Sequence, residues 1–166
     1  MTLLDAPRYD AARARRNQIV LWVVVGLLVV LVIGFWLMAG RPVDWPWNWP
    51  THLRGRSTIN TFLKDVEKND LSDAYGTWVH DPEWQKHPQQ SGAYDFNRFQ
   101  QDWSPNSSEN EYGAIHSHEI VAARMSGNVL LVGIRINGLK SKALFLNYDP
   151  QTKHLGFSPV ELYLGP

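Results

Sequence analysis

The sequence predicts an α+β domain behind an N-terminal transmembrane helix, and three observations support this fold class. Residues 19–39 form one uncharged apolar run. Residues 58–103 place apolar side chains at helical spacing, and residues 114–163 contain β-type segments separated by short turns. Helices that precede such strands pack on one face of an antiparallel sheet. We therefore expect two or three helices on a curved antiparallel sheet of about four strands.

Residues 19–39 are predicted to cross a membrane. A helix of this length spans ~30 Å, the thickness of the hydrocarbon core of a bilayer. A cleaved signal peptide has a shorter apolar region, of ~7–15 residues, and ends at a small-x-small site. The nearest candidate for such a site, Leu37-Met38-Ala39, begins with a bulky residue. We therefore interpret the segment as an uncleaved anchor.

The flanking charges predict the orientation of this helix. The short tail, residues 1–18, carries four arginines, of which Arg15 and Arg16 lie close to the membrane. Fewer basic residues follow the helix closely, so the positive-inside bias places the N-terminus in the cytoplasm. We expect a bacterial inner-membrane protein, with the lipid bilayer as one partner and with residues 57–166 as its extracytoplasmic domain.

Residues 40–56 are predicted to form a juxtamembrane linker rich in Trp and Pro. The run from Asp44 to Pro50 interleaves three tryptophans with prolines, a pattern that we interpret as non-helical. Tryptophan prefers the headgroup region, so we favour a stiff spacer at the membrane surface over a specific partner-binding motif. The residues predicted to lie at the membrane interface are Trp22, Trp36, Trp45, Trp47 and Trp49.

Composition narrows the range of functions. The chain has no cysteine, which excludes disulfides, thiolate metal sites and cysteine nucleophiles. Its 16 basic and 16 acidic residues balance, so it has no basic field to hold nucleic acid. The sequence contains no nucleophile elbow, phosphate-binding loop or redox motif, and we predict no cofactor.

The domain is predicted to begin with two short helices and to add a third after a loop. Ser57 or Thr58 is the expected N-cap of the first helix. Helical spacing breaks at Asn69-Asp70 and then resumes as far as Trp78, which favours two helices that meet at a corner. Helical spacing returns over residues 96–103.

Four strands are predicted in the C-terminal third of the chain. They cover residues 114–125, 129–136, 142–148 and 154–163. Asn137-Gly138, between the second and third strands, is a typical hairpin turn. Pro159 places the last strand at an edge or at a bulge, because proline cannot donate to the sheet.

Two features carry a family resemblance. The paired helices of residues 58–78 contain the corner sequence FLKDVEKNDLSDAYGTW, and long strands follow over residues 114–163. In these features the chain resembles the nuclear transport factor 2-like (cone-fold) superfamily. The resemblance implies that helices and sheet enclose a pocket, in which related enzymes use an aspartate or a His–Asp pair for proton transfer. The superfamily also includes ligand binders and membrane-tethered assembly modules, so the fold does not assign the function.

A dense set of aromatic residues gives the candidate ligand site. The set comprises Tyr75, Trp78, Trp84, Tyr94, Phe96, Phe99 and Trp103. Such residues either line an apolar pocket or form an ordinary core, and aromatics at helical spacing favour the core. For a ligand, the candidate binding residues are Trp78, Tyr94 and Trp103.

Histidines and carboxylates are weaker candidates for chemistry. His80-Asp81 has the composition of an acid–base pair, but adjacent loop residues usually point apart, so we assign no catalytic residue. His116 and His118 share one face of a predicted strand, whereas Glu119 points to the other face. Two histidines without a clear third ligand do not form a metal site, and we predict none.

Three classes of function follow from these features. We favour a noncatalytic interaction or assembly module of a membrane complex, whose partners are other membrane or periplasmic proteins. Its layout is similar to that of the bridge proteins of type IV secretion. The alternative is a binder of a small apolar ligand or lipid in a cone-shaped pocket, and a dehydratase- or isomerase-type enzyme ranks third. An interaction module requires a filled cone and an exposed apolar patch or sheet edge.

Overall fold

The computed structural model describes residues 10–87, 94–139 and 141–164, and it confirms the α+β class. The helices are α1 (Ala11–Met38), α2 (Trp49–Glu67), α3 (Leu71–Trp78) and α4 (Phe96–Trp103). The strands are β1 (His118–Ser126), β2 (Val129–Ile136), β3 (Ala143–Tyr148) and β4 (Leu155–Phe157). The chain divides into two compact units, Met1–Met38 and Ala39–Pro166.

The apolar segment of the first unit lies within a longer helix than the sequence predicted. α1 has 28 residues and begins at Ala11 because the Asp10 carboxylate caps it. Asp10 Oδ1 accepts hydrogen bonds from the backbone N–H groups of Ala12 and Arg13, both at 3.1 Å. The helix is long and apolar enough to cross a membrane, a property that an N-terminal signal sequence shares. It is therefore compatible with a single-pass membrane anchor.

The second unit begins earlier than the linker prediction allowed. Residues 39–48, which we call the collar, lead through a 3₁₀ turn (Pro46–Asn48) directly into α2. The expected helix start at Ser57 or Thr58 was wrong, because α2 begins at Trp49 with a proline in its first turn. Proline is tolerated there since the backbone N–H group that it lacks would have no acceptor within the helix.

The predicted corner between two helices is confirmed. α2 ends before Asn69, which has a positive φ of 58°. Asp70 then caps α3, because its Oδ1 accepts the N–H group of Asp73 at 3.2 Å. Asp95 caps α4 in the same way and accepts the N–H group of Arg98 at 2.9 Å. Each short helix thus begins at a carboxylate that satisfies an otherwise unpaired donor.

The sheet is an antiparallel meander in the order β1-β2-β3-β4. β1 contains a bulge between Ile120 and Ala122. The turn between β2 and β3 uses Asn137 and Gly138, with φ angles of 53° and 68° as a type I′ hairpin requires. The long fourth strand expected over residues 154–163 was wrong, because β4 ends at Phe157. Pro159 follows it and cannot donate to a ladder.

One face of the sheet carries the hydrophobic core. Leu130, Val132, Ile134 and Ile136 alternate along β2 and are fully buried. The buried face of α2 packs into the same core and contributes Ile59, Phe62, Leu63 and Val66. Gly55 allows this close packing. A Cβ atom at Gly55 would lie 2.6 Å from Leu130 Cδ2 and 2.9 Å from Tyr148 Cδ1.

The opposite face of the sheet meets the end of the chain. We call residues 158–164 the C-terminal arm. Leu162 and Leu164 in this arm are half-buried, whereas Glu161 and Tyr163 between them are exposed. A Cβ atom at Gly133 of β2 would collide with Leu164 Cδ2, so glycine leaves room for the leucine side chain. The backbone N–H group of Ser158, at the start of the arm, donates to the oxygen of Phe145 in β3, and the arm then covers part of the sheet.

Because the second unit begins at Ala39, we expect a shortened chain to need the collar for its full stability. A chain comprising residues 39–166 should unfold cooperatively, whereas residues 57–166 should be less stable by about 3 kcal/mol or more. The shorter chain lacks two hydrogen bonds to the carboxylate of Asp44, and such bonds contribute about 1.5–3 kcal/mol each. Thermal and urea unfolding followed by circular dichroism measure this difference. Equal stability of the two chains would show that neither the collar nor the first eight residues of α2 stabilise the folded domain.

Candidate functional site

The three candidate ligand residues come together at one end of the domain. Trp78 ends α3, Tyr94 precedes α4, and Trp103 ends α4. The ring of Trp78 lies 5.5 Å from that of Tyr94 and 5.9 Å from that of Trp103. Phe157 of β4 contacts all three rings, at 5.2, 5.9 and 5.9 Å. We call these four residues the aromatic cluster.

The aromatic cluster is packed as core. Trp78 and Trp103 are only 5% and 2% exposed, and Phe62 of α2 lies beneath them at 5.2 and 4.9 Å. Most of these rings meet edge-to-face or tilted, the geometry that gives about 0.5–1.5 kcal/mol per pair beyond burial. Phe157, which is partly exposed, closes the outer side of the cluster. The side chains that were candidates to line a pocket are thus in contact with one another.

A polar network borders the aromatic cluster. The hydroxyl group of Tyr94 donates to Asp102 Oδ2 at 2.9 Å and accepts the indole N–H of Trp103 at 3.2 Å. Arg98 pairs with the other oxygen of Asp102 at 3.2 Å. Burial, reinforced by the neighbouring carboxylate, raises the pKa of Tyr94 far above its ordinary value. The phenol is therefore a permanent hydrogen-bond donor and cannot serve as a base near neutral pH.

A small recess opens beside this network. Its volume is about 280 Å³, slightly below the ~300–1,000 Å³ of typical ligand pockets. It is lined by Arg98, Asp102, Trp103, Glu109, Glu111, Tyr112 and Phe157. Four of these seven side chains are charged, so the recess does not present the dry wall that an apolar ligand needs.

A larger groove lies between α2 and α3, away from the aromatic cluster. Its volume is about 660 Å³. Hydroxyl groups dominate its wall, with Ser57, Thr58 and Thr61 from α2 and with Ser72 and Thr77 from α3. Asp65, Asp73 and His80 add ionisable groups, and Trp84 is the aromatic side chain present. This polar wall is typical of a hydrated surface, and it does not suit the apolar ligand predicted for the cone.

The two histidines of the predicted first strand do not face each other. His116 precedes β1, and its backbone N–H group donates to Asn137 Oδ1 at 2.8 Å. His118 of β1 is half-buried and its side chain reaches α2, where Nδ1 lies 2.7 Å from Glu67 Oε1 and Nε2 lies 2.8 Å from Asn60 Oδ1. Both ring nitrogens of His118 are thus engaged. Among the described residues no group of three His, Asp or Glu side chains is arranged to hold a metal ion.

The structure separates His80 from Asp81. His80 ends the α3 region with a positive φ of 51°, and its side chain is exposed. The partner of Asp81 is His87, whose Nδ1 donates to Asp81 Oδ2 at 2.9 Å. This hydrogen bond holds the pKa of Asp81 below its ordinary value. The carboxylate is therefore a poorer base than a free aspartate.

The predicted interface tryptophans fall into different environments. Trp22 and Trp36 lie on α1. Trp45 and Trp47 are 68% and 71% exposed, and their indole rings stack at 5.0 Å with an angle of 3° between the planes. Trp49 instead begins α2, is partly buried, and donates its indole N–H to the backbone oxygen of Asp44 at 3.0 Å.

A buried pair that the sequence analysis missed holds the collar in place. His52 of α2 is 1% exposed, and its Nε2 donates to Asp44 Oδ2 at 2.7 Å. The same oxygen accepts the backbone N–H group of Met125 in β1 at 3.0 Å. The order Asn48-Trp49-Pro50, with an N-cap residue before a proline, was the sequence pattern that indicates this earlier helix start.

No family model matches the chain, and comparisons with curated proteins and with solved structures found no significant match.

The packing of the aromatic cluster predicts a large difference between two tryptophans. Trp103→Ala should destabilise the fold by about 3–5 kcal/mol, because it leaves a cavity among buried rings. Trp47→Ala removes an exposed side chain and should change stability by about 0.5 kcal/mol or less. Urea denaturation of both variants tests this. Similar losses for the two would contradict the assignment of Trp103 to the core.

The pKa of Asp81, measured in two variants, tests which histidine is its hydrogen-bond partner. His87→Ala should raise the pKa of Asp81 towards its ordinary value, whereas His80→Ala should leave it unchanged. The sign follows because a hydrogen bond to the carboxylate favours the charged form, and this contribution to stability is lost as the pH falls through the lowered pKa. Carboxyl NMR shifts recorded against pH measure both effects. A change in the pKa of Asp81 caused by His80→Ala would show instead that His80 and Asp81 form a pair.

Proposed function

We propose that this protein is a single-pass membrane protein whose extracytoplasmic domain acts as a noncatalytic interaction module of a membrane complex. The domain is a cone-like fold of the nuclear transport factor 2-like type, anchored in a bacterial inner membrane. Its partners are the lipid bilayer and other membrane or periplasmic proteins. No cofactor, metal or nucleic acid takes part in this function.

The length and flanks of α1 support the anchor and its orientation. The uncharged stretch from Ile19 to Ala39 matches the hydrocarbon thickness of a bilayer. Arg15 and Arg16 lie two residues before it, which favours a cytoplasmic N-terminus. A long domain that follows the span is translocated largely regardless of its charge.

The single observation that carries the interaction function is the packing of the aromatic cluster. Trp78, Tyr94 and Trp103 contact one another and Phe157, so the residues expected to hold an apolar ligand hold each other instead. The ionisable candidates also have partners within the domain, since His118 is hydrogen-bonded to side chains of α2 and Asp81 is hydrogen-bonded to His87. A filled interior of this kind favours a function carried out at the surface.

The C-terminal arm is the part of the surface that we assign to a protein partner. Tyr163 is 86% exposed, Val160 of the arm is also exposed, and so is Phe157, the last residue of β4 before the arm. Exposed apolar side chains that lie close together mark interaction sites more often than isolated ones do. Leu164, packed on Gly133, holds the end of this segment on the sheet.

Native mass spectrometry of the full-length protein, extracted gently from its own membrane, tests the proposal. We expect a protein partner at fixed stoichiometry. The double substitution Val160→Asp and Tyr163→Asp should release that partner and leave the fold intact, because both side chains are exposed. Gln151→Asp, which places a charge on an exposed turn before β4, should retain the partner and serves as the matched control.

Three other outcomes would contradict the proposal, in part or in full. A lone protomer that carries a reproducible small mass would identify a ligand-binding cone, the alternative function, and would require Phe157 to move away from the other rings. A partner that survives the double substitution but is lost with Gln151→Asp would place the contact elsewhere. A lone protomer with no added mass would contradict both functions.

A further inference from the structure

The collar presents an apolar surface that the interaction module does not use. Val43 is fully exposed, and Trp45 and Trp47 are more than two-thirds exposed. These three side chains, which we call the platform, alternate along the chain. Exposing large apolar side chains costs about 25 cal/mol per Å² of apolar surface relative to burial. Large apolar side chains exposed together in one short segment are typical of a binding or membrane-contact surface.

The platform has a fixed shape. The indole rings of Trp45 and Trp47 are parallel and 5.0 Å apart. The 3₁₀ turn holds them in this arrangement, because the backbone N–H of Asn48 donates to the oxygen of Trp45 at 2.9 Å. Pro46, between the two tryptophans, fixes one backbone angle of the turn. The two rings thus form one stacked aromatic unit instead of two independent side chains.

Asp44 attaches the platform to the folded domain from two sides. Its Oδ2 accepts from His52 of α2 and from the backbone of Met125 in β1, and its own backbone oxygen accepts from Trp49. Hydrogen bonds to a carboxylate are stronger than neutral ones, and His52 is excluded from water. The platform therefore moves with the sheet and with α2.

The same contacts make the outer side of the platform suitable for a lipid surface. Asp44 is the one acidic residue between residues 40 and 50, and its carboxylate is turned inward to His52. The outward side chains are Val43, Trp45 and Trp47, with the exposed Arg41 beside them. Indole rings favour the headgroup layer, and an arginine there meets anionic lipid.

The chain length allows the platform to reach the membrane surface. Val43 follows Met38, the last residue of α1, by five positions, so its Cα atom lies within about 18 Å of the end of α1. The headgroup layer on each side of a bilayer is of order 5–10 Å thick. The platform thus lies within reach of the headgroups of the membrane that α1 enters.

We propose that Val43, Trp45 and Trp47 form a preformed lipid-binding platform that rests in the headgroup layer and, through Asp44, holds the extracytoplasmic domain in one orientation on the bilayer. The proposal rests on the proposed membrane anchor. It assigns Trp49 to the fold and not to the membrane, although the sequence places Trp49 in the same run as the other two.

Lipid quenching of tryptophan fluorescence tests the proposal on the full-length chain. The protein is reconstituted into vesicles of phosphatidylethanolamine and phosphatidylglycerol that carry bromine either near the headgroup or deep in the acyl chain. Trp22→Phe and Trp36→Phe together remove the tryptophans of α1. In this background, shallow bromine should still quench a substantial part of the fluorescence. Adding Trp45→Ser and Trp47→Ser should abolish most of this quenching, whereas adding Trp49→Phe should leave it unchanged.

The possible results distinguish a failure of the proposed platform from a failure of the proposed membrane anchor. Quenching of the unmodified chain by either kind of bromine that falls with Trp22→Phe and Trp36→Phe reports that α1 lies in the bilayer, and its absence would overturn the anchor. Shallow quenching that persists after Trp45 and Trp47 are replaced would overturn the platform even where the anchor holds. Loss of the shallow quenching with Trp49→Phe alone would also overturn it. Circular dichroism of each variant confirms that the fold is retained, as the exposure of Trp45 and Trp47 leads us to expect.

Discussion

The close packing of α2 on the sheet is the constraint on which the rest of this domain depends. Gly55 lets the helix approach Leu130 and Tyr148, where any side chain would collide with them. At that distance the apolar face of α2 completes the core above β2. Polar side chains then attach the helix along its length, through His52 to Asp44 in the collar and through Asn60 and Glu67 to His118 in β1. The helix, the edge strand and the collar are thus held as one unit.

The aromatic half of the core follows from the same arrangement. Phe62 on α2 supports Trp78 and Trp103 from below, and Phe157 reaches them from β4. The rings contact one another, and the Tyr94 hydroxyl donates a hydrogen bond to Asp102. Among the described residues, this end of the domain therefore has few side chains free to bind a ligand. The function that we propose therefore lies on the surface, at the C-terminal arm for a protein and at the platform for lipid. The two surfaces involve different elements and can be tested independently.

Much of the candidate site was predictable because it consists of local patterns. Helical spacing placed Trp78 and Trp103 on buried faces, and Asn137-Gly138 marked the turn at the end of β2. The collar was predicted less well, since alternating Trp and Pro residues resemble an extended linker. Pro50 in fact occupies the first turn of a helix, the one helical position where proline costs little. The predicted fourth strand was too long, because it ran through Pro159, whereas the observed strand ends at Phe157.

The sequence by itself determined the apolar segment, the α+β order of elements, the corner at Asn69-Asp70 and the aromatic composition of the core. Each of these follows from the identity of residues a few positions apart, which is the range over which helix caps, turns and periodicity act. Only the tertiary structure decided which polar groups pair. His118 meets side chains 51 and 58 positions away, and Asp44 meets Met125 at a separation of 81. Such pairs depend on how whole elements pack, because a buried polar group bonds to whichever partner the fold brings within reach.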